Sequence, residues 1–187
     1  GMRRNDTPVE VDEGQHRFTT YFCHPPGELG QFGGYPVHYQ IKTPERPFDS
    51  DATMEKVLDG ISIVVFCADA SRTRQAANEA ALDELVERLA RRHDLPAGTR
   101  RAGFDRLFGD DGPLGFVMQV NRTDVDDAVD PDAVRRALLL PEEISVVATV
   151  ADQGDHVWNL FETATEQTRP LLDHALERGR IPAADLD

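Results

Sequence analysis

The 187-residue chain carries 20 basic and 34 acidic residues, which gives it a formal net charge of −14 at pH 7. A surface this acidic repels the phosphates of nucleic acids and of anionic lipids, so neither is an expected partner. No stretch of about 18 apolar residues is present, and we therefore expect no membrane insertion.

The first 16 residues are polar, and we expect a flexible N-terminal arm over 1–16 in which residues 8–11 can add a short strand. Gly1 before Met2 is typical of a tag remnant, so we expect Met2 to be the natural start. Two strand-like stretches follow, at 17–24 and 35–43, with a segment rich in turn-forming residues between them. This pattern predicts an antiparallel pair of strands.

Three later runs are apolar almost throughout: ISIVVFCA (61–68), LGFVMQVN (114–121) and ISVVATVA (144–151). Near-continuous apolarity is typical of strands that are buried on both faces, as in parallel sheets covered by helices. The runs therefore predict three parallel strands.

Helical patterns lie between and after these runs. Ser71 can cap a helix over 72–93, with an apolar stripe formed by Ala77, Ala81, Leu85 and Leu89, and with Leu82 and Val86 beside it. Asp130 and Pro131 form a cap and first-turn pair for a second helix. A last helix is expected from about residue 155 to Gly179. The alternation of strands and helices predicts an α/β fold.

Residues 94–113 interrupt this alternation, since they contain four glycines together with the apolar residues Phe104, Leu107 and Phe108. This segment is longer than the usual connection between a helix and a strand. We expect a loop insertion whose aromatic side chains fold back onto the core. The alternative is a docking lip for a partner.

Cys23 and Cys67 each lie within an apolar run, which is typical of buried, reduced cysteines and indicates a cytoplasmic protein. A metal would have to be held by Cys23, His24 and His38, but no C-x-x-C or H-x-x-x-H spacing is present, and we expect no metal site. The six histidines show no Ser-His-Asp order, so we expect no catalytic residues of a hydrolase. A metal-dependent enzyme that uses Cys23, His24 and His38 is a third hypothesis.

Four motifs, in the right order, resemble the bacterial MglA-type small Ras-like GTPases from about residue 13 to 175. They are VHYQIKTPERPF (37–48), VVFCADASRTRQAANEAALDEL (64–85), VMQVNRTD (117–124) and VVATVADQGDHVWNLFETA (146–164). The third resembles the family's base-recognition strand, which ends in Asn-Lys-x-Asp. The resemblance implies a base-recognition corner at Asn121, Arg122 and Asp124, and a switch segment at Thr43, Pro44, Glu45 and Arg46.

The departures from the family pattern imply that both sites are degenerate. The sequence has no Gly-Lys pair of a phosphate-binding loop, and its only lysines are Lys42 and Lys56. Glu45 stands where the family's glycine faces the terminal phosphate, and Arg46 stands where its glutamine orients water. Arg122 replaces the lysine whose stem packs on the guanine. Two or three exposed hydrogen bonds would give a dissociation constant of about 1 mM at best.

The resemblance implies a truncated P-loop NTPase (Ras-like) three-layer α/β fold. We expect a mostly parallel sheet of about five strands, an antiparallel hairpin at its edge, a single domain over 17–180 and a tail over 181–187. The family's first strand, which lies between the strands that match 35–43 and 61–68, has no counterpart here. Either those two strands pair directly, or residues 8–11 fill the gap, or another chain supplies a strand. Direct pairing is our expectation.

These observations predict a degenerate small GTPase-like domain that acts as a protein-interaction or regulatory module and does not hydrolyse GTP by itself. We expect no cofactor beyond weak GTP or GDP binding. The resemblance implies roadblock-type partners or components of a GTPase system, and the sequence leaves a homo-oligomer open. The alternative is a GTP-binding protein or GTPase whose phosphate-binding elements come from a partner chain or from an unrecognised substitute.

Overall fold

In the computed structural model, the structure describes residues 9–12, 17–23, 25, 27–33, 35–44, 51–96 and 98–177. The chain divides into two compact units, one formed by Gly1–Ile61 with Leu172–Asp187 and the other by Ser62–Leu171. The single domain expected over 17–180 stays a prediction. Of the arm expected over 1–16, the structure describes only Val9–Asp12, and the tail expected over 181–187 lies outside the described residues.

The first unit contains a three-stranded antiparallel sheet. Its strands are β1 (Val9–Asp12), β2 (Arg17–Cys23) and β5 (Tyr39–Pro44), in the order β1-β2-β5. A 3₁₀ turn at Gly27–Gly30 and a short ladder of β3 (Gln31–Phe32) with β4 (Tyr35–Pro36) lie between β2 and β5. Helix α1 (Asp51–Val57) follows, with Thr53 and Val57 buried. The predicted antiparallel pairing is confirmed.

The second unit contains a three-stranded parallel sheet. Its strands are β6 (Ile63–Asp69), β7 (Gly115–Asn121) and β8 (Ser145–Thr149), in the order β6-β7-β8. All residues of β7 before Asn121 are buried, because this strand lies between two neighbours. The three predicted parallel strands are therefore confirmed, and the chain is α/β with an antiparallel hairpin.

Four helices accompany the parallel sheet, namely α2 (Gln75–Arg92), α3 (Arg100–Phe108), α4 (Pro131–Ala137) and α5 (Val157–Glu177). Asp130 caps α4 as predicted, since its side chain accepts a hydrogen bond from the Ala133 backbone N–H at 3.1 Å. In the described part of the chain, no helix has the length and apolarity required to cross a bilayer.

The buried stripe of α2 differs from the predicted one. Ala77 and Ala81 are exposed, and the buried positions are Asn78, Leu82, Val86 and Leu89. Ser71 does not cap a helix through its side chain; it precedes a 3₁₀ turn at Arg72–Arg74. The predicted residues Leu82, Val86 and Leu89 are buried, and the stripe continues through Asn78, whose amide is bonded to the backbone of Asp69 in β6.

Residues 94–113 correct another expectation, because their middle forms helix α3 rather than a loop. Thr99 caps the helix by accepting a hydrogen bond from the Ala102 backbone N–H at 3.3 Å. Phe104 and Leu107, three residues apart, share the buried face of the helix. The apolar side chains do reach the core, as expected, and it is the helix that carries them there.

The expectation of direct pairing between the strands at 35–43 and 61–68 is not met. Among the described residues, β5 pairs only with β2 and β6 pairs only with β7, so each is the edge strand of its own sheet. Strand β1 pairs with β2, so it does not lie beside the free edge of β5 or of β6. Exposed residues recur along β5, as expected for an antiparallel sheet with one solvated face.

Candidate functional site

The carboxyl ends of the three parallel strands bring the base-recognition residues to one edge of the sheet. Asp69 is in register with Asn121, and Asn121 is in register with Thr149. The polar residues that end β6, β7 and β8 are therefore neighbours. Ligands of open α/β sheets bind outside this edge, which makes it the candidate site.

Asn121 is held by the residues that follow β8. Its side-chain oxygen accepts hydrogen bonds from the Thr149 hydroxyl at 3.1 Å and from the Ala151 backbone N–H at 2.9 Å. Its own backbone oxygen accepts from the Ala70 N–H at 2.9 Å. Asn121 thus joins the ends of all three strands and fixes the path of the loop after β8.

A chain of hydrogen bonds extends from Asn121 into the sheet. The Thr149 hydroxyl, whose residue is 1% exposed, accepts from the Gln119 amide at 2.8 Å, and the Gln119 oxygen accepts from the Cys67 thiol at 2.8 Å. Each buried polar atom in this chain has a partner, which avoids the penalty of an unpaired group. The sequence pattern identified Gln119 only as part of the resemblance, and it did not identify Thr149. The signal was available, since Thr149 is the polar residue near the end of the third apolar run, as Asn121 is at the end of the second.

Arg122 lies just beyond the end of β7 and turns back to the neighbouring strand. Its backbone φ is +62°, in the left-handed region that non-glycine residues seldom occupy. Its guanidinium donates to the Asp69 carboxylate at 3.0 Å. The guanidinium of the base-recognition position is therefore paired within the protein. This ion pair could not be predicted from the sequence, because it depends on the register of two strands 53 residues apart.

Asp69 also organises the connection from β6 to α2. Its second carboxylate oxygen accepts from the Ser71 backbone N–H at 2.9 Å, and its backbone exchanges two hydrogen bonds with the Asn78 amide, at 3.0 and 2.8 Å. The Ser71 hydroxyl donates to Asp127 at 2.8 Å. These contacts use acidic residues of the edge to hold loops together.

Asp124, the third base-recognition residue, is exposed. One of its carboxylate oxygens accepts from the Gln153 amide at 3.2 Å, which links the loop after β7 to the loop after β8. Asn121, Arg122 and Asp124 thus share one edge of the sheet, each with a partner inside the second unit.

The predicted switch residues belong to the first unit. Thr43 and Pro44 end β5 and pair with Thr19 and Phe18 of β2. The Thr43 hydroxyl donates to the Thr19 carbonyl at 3.5 Å. Glu45 and Arg46 lie outside the described residues.

The metal hypothesis gains no geometric support from the part of the chain that can be described. Cys23 is buried and His38 is exposed, whereas His24 lies outside the described residues. Within the residues described, no group of three His, Cys, Asp or Glu side chains could hold a metal ion.

No protein-family model matches the chain. The chain is similar to the mutual gliding-motility protein MglA of Myxococcus xanthus (strain DK1622), with 28% identity over 134 residues. That match covers 70% of this chain and 61% of the relative, so the chain spans less than two thirds of the protein it matches. The α/β architecture, with a parallel sheet and an antiparallel hairpin, is consistent with a P-loop GTPase fold. The chain is a distant relative of the MglA-like, Ras-like GTPases.

Proposed function

We propose that this chain is a degenerate GTPase-like module of the cytoplasm that acts through protein contacts and does not hydrolyse GTP by itself. The observation that carries the proposal is the pairing of Arg122 with Asp69 at 3.0 Å. In this arrangement the side chain lies against the sheet edge and does not extend along a purine ring above the corner.

The proposal that this chain alone does not hydrolyse GTP also rests on the lysines, which would have to bind the phosphates. The 187 residues contain no Gly-Lys pair, and the Lys42 ammonium donates to the backbone carbonyl of Asp59 at 2.6 Å. Nucleotide affinity depends strongly on a backbone cradle and a lysine that together neutralise the phosphates. Without them, the exposed carboxylate of Asp124 would contribute only hydrogen bonds of about 0.5–1.5 kcal/mol each.

The proposal is tested by isothermal titration of the purified chain with GDP and with GTP, each with magnesium. We expect no saturable binding tighter than about 1 mM, since so few hydrogen bonds remain. Phosphate release from GTP should not exceed the rate in buffer. ATP serves as the control for non-specific binding. A dissociation constant in the micromolar range for GDP or GTP would reject the proposal.

One observation favours a second candidate, in which this chain binds GTP together with phosphate-binding elements from a partner chain. Among the described residues, β6 has a hydrogen-bonded neighbour on one side only, and its end, Asp69, lies at the candidate site. A parallel strand supplied by another chain could pair there. The test is chromatography of nucleotides released from the protein purified with its native partners. Stoichiometric GDP or GTP would favour this candidate.

The partner that we propose is a roadblock-type protein or another component of a GTPase system, because the relative is a gliding-motility protein. A mixture of the chain with such a protein should elute as a complex in size-exclusion chromatography. Co-elution that requires added GTP would favour the second candidate over the first.

A further inference from the structure

The start of α5 exposes apolar side chains beside the candidate site. Every residue from 151 to 159 is exposed, including Val157 at 41% and Trp158 at 37%. Large aromatic residues are enriched at the energetic centres of protein interfaces. Trp158 is therefore positioned as an anchor for a partner, and Val157 extends the exposed apolar surface beside it.

The aromatic part of this surface is held in one arrangement. The rings of Trp158 and Phe161 have centroids 5.4 Å apart, and the Trp158 indole N–H donates to the Glu162 carboxylate at 2.7 Å. The preceding loop is fixed at Ala151 by Asn121 and at Gln153 by Asp124. A pre-organised surface loses less conformational freedom when it binds.

The surroundings of Val157 and Trp158 are acidic. Residues 151–162 contain Asp152, Asp155 and Glu162 and no lysine or arginine. The segment 124–132, joined to this loop by the bond between Asp124 and Gln153, contains five aspartates and likewise no lysine or arginine. Both segments are therefore acidic, although Asp132 is paired with Arg135 at 3.3 Å and Arg122 adjoins the second segment. Complementary charge steers partners to an acidic surface.

We propose that Val157, Trp158 and the acidic loops 124–132 and 151–156 form a docking surface for a basic amphipathic segment of a partner protein. Apolar residues of that segment would cover Val157 and Trp158, and its lysines or arginines would face the aspartates. The inference deepens the proposed function, on which it rests, by naming the chemistry of the partner. An anionic lipid surface does not fit, because the aspartates repel it.

The sequence supplies a reporter for this surface, since Trp158 is its only tryptophan. The experiment titrates the full chain with a helical peptide of about 18 residues that carries leucine on one face and lysine on the other, as in helix-in-groove recognition. Two matched peptides serve as controls, one with glutamate in place of lysine and one with serine in place of leucine. We expect a saturable blue shift of Trp158 emission with the leucine–lysine peptide and none with either control.

Matched variants locate the site. Val157→Ala should weaken binding about three- to tenfold, because apolar contact area is lost. Leu139→Ala, which shortens another exposed apolar side chain (65% exposed), should leave binding unchanged. Asp152→Asn with Asp155→Asn should weaken binding and reduce its salt dependence. Glu142→Gln with Glu143→Gln removes equal charge before β8, at the other edge of the sheet, and should have little effect.

The outcomes separate this inference from the proposed function. The inference is overturned by equal shifts with all three peptides, by equal effects of the loop and control variants, or by a shift on zwitterionic vesicles with no response to peptide. Micromolar GTP binding in the titration above would reject the proposed function and would leave the shift of Trp158 emission with the peptide unchanged. A peptide response that depends on both Val157 and the two aspartates supports the surface.

Discussion

At its start, β7 places Phe116 within a cluster of aromatic rings, whereas at its end the same strand places Gln119 and Asn121 in a chain of hydrogen bonds. Phe116 lies 4.9 Å from both Phe104 and Phe108, ring centroid to ring centroid. Apolar packing contributes in proportion to the buried area and requires little directionality. Hydrogen bonds contribute little net energy when satisfied, but their loss in a buried place is costly. The first half of β7 therefore supplies stability, and the second half supplies geometry for the site.

The largest loss of stability is expected from a change in the aromatic cluster that packs on the start of β7. Phe104, 2% exposed, contacts both other rings, and Phe104→Ala should lower the free energy of unfolding by about 3–5 kcal/mol because it leaves a cavity. Urea unfolding followed by Trp158 fluorescence measures the change. The control, Leu139→Ala, removes an exposed side chain and should cost less than about 0.5 kcal/mol. Similar losses for the two variants would contradict the burial of α3.

A change in the hydrogen-bond chain at the end of β7 should lower the free energy of unfolding by a smaller but measurable amount. Thr149→Val keeps the shape of the side chain but removes the hydroxyl that joins Gln119 to Asn121. The buried Gln119 amide then loses its acceptor, while half-buried Asn121 keeps the bond from the Ala151 N–H, and we expect a loss of about 2 kcal/mol in the same unfolding measurement. Thr163→Val makes the identical change on a half-buried face of α5 and should cost less than about 0.5 kcal/mol. If both variants unfold at the same urea concentration, the hydrogen-bond chain has no role in stability.

The two halves also differ in what the sequence could predict. The run from Leu114 to Asn121 predicted a buried strand because continuous apolarity leaves few other structures. Helix α3 was missed because glycines and charges within 94–113 conceal the three-residue spacing of Phe104 and Leu107. The stripe of α2 was shifted because a polar residue, Asn78, takes a buried place through bonds to a backbone that no pattern within the helix reveals.

The candidate site was predictable to the same limited extent. The family resemblance named Asn121 and Asp124, and their position at the end of an apolar run placed them at a sheet edge. Their partners Thr149 and Gln153 follow a different strand, and Asp69 follows a third. Which of these meet depends on the registers of two parallel ladders, and parallel registers are set by crossover connections rather than by local sequence.

The smallest expected effect concerns the exposed pair of Arg122 and Asp69, which sharpens the comparison because it is polar but not buried. Side-chain exposures of 54% and 22% place it among surface ion pairs, which are worth about 0–1 kcal/mol. Asp69→Asn keeps an acceptor for the Ser71 N–H and removes the charge that faces Arg122 and, at 3.9 Å, Arg74. Its cost in the free energy of unfolding should stay below about 1 kcal/mol and should vanish at high salt, where the pair is screened.

The left-handed backbone of Arg122 should affect the free energy of unfolding as much as its charge does. Arg122→Ala and Arg122→Gly both remove the ion pair, but only glycine adopts a φ of +62° without strain. The glycine variant should therefore be more stable than the alanine variant by about 1 kcal/mol in urea unfolding. Equal stability would mean that the left-handed backbone costs nothing here. A glycine variant as stable as the parent would mean that the relief of backbone strain offsets the loss of the ion pair.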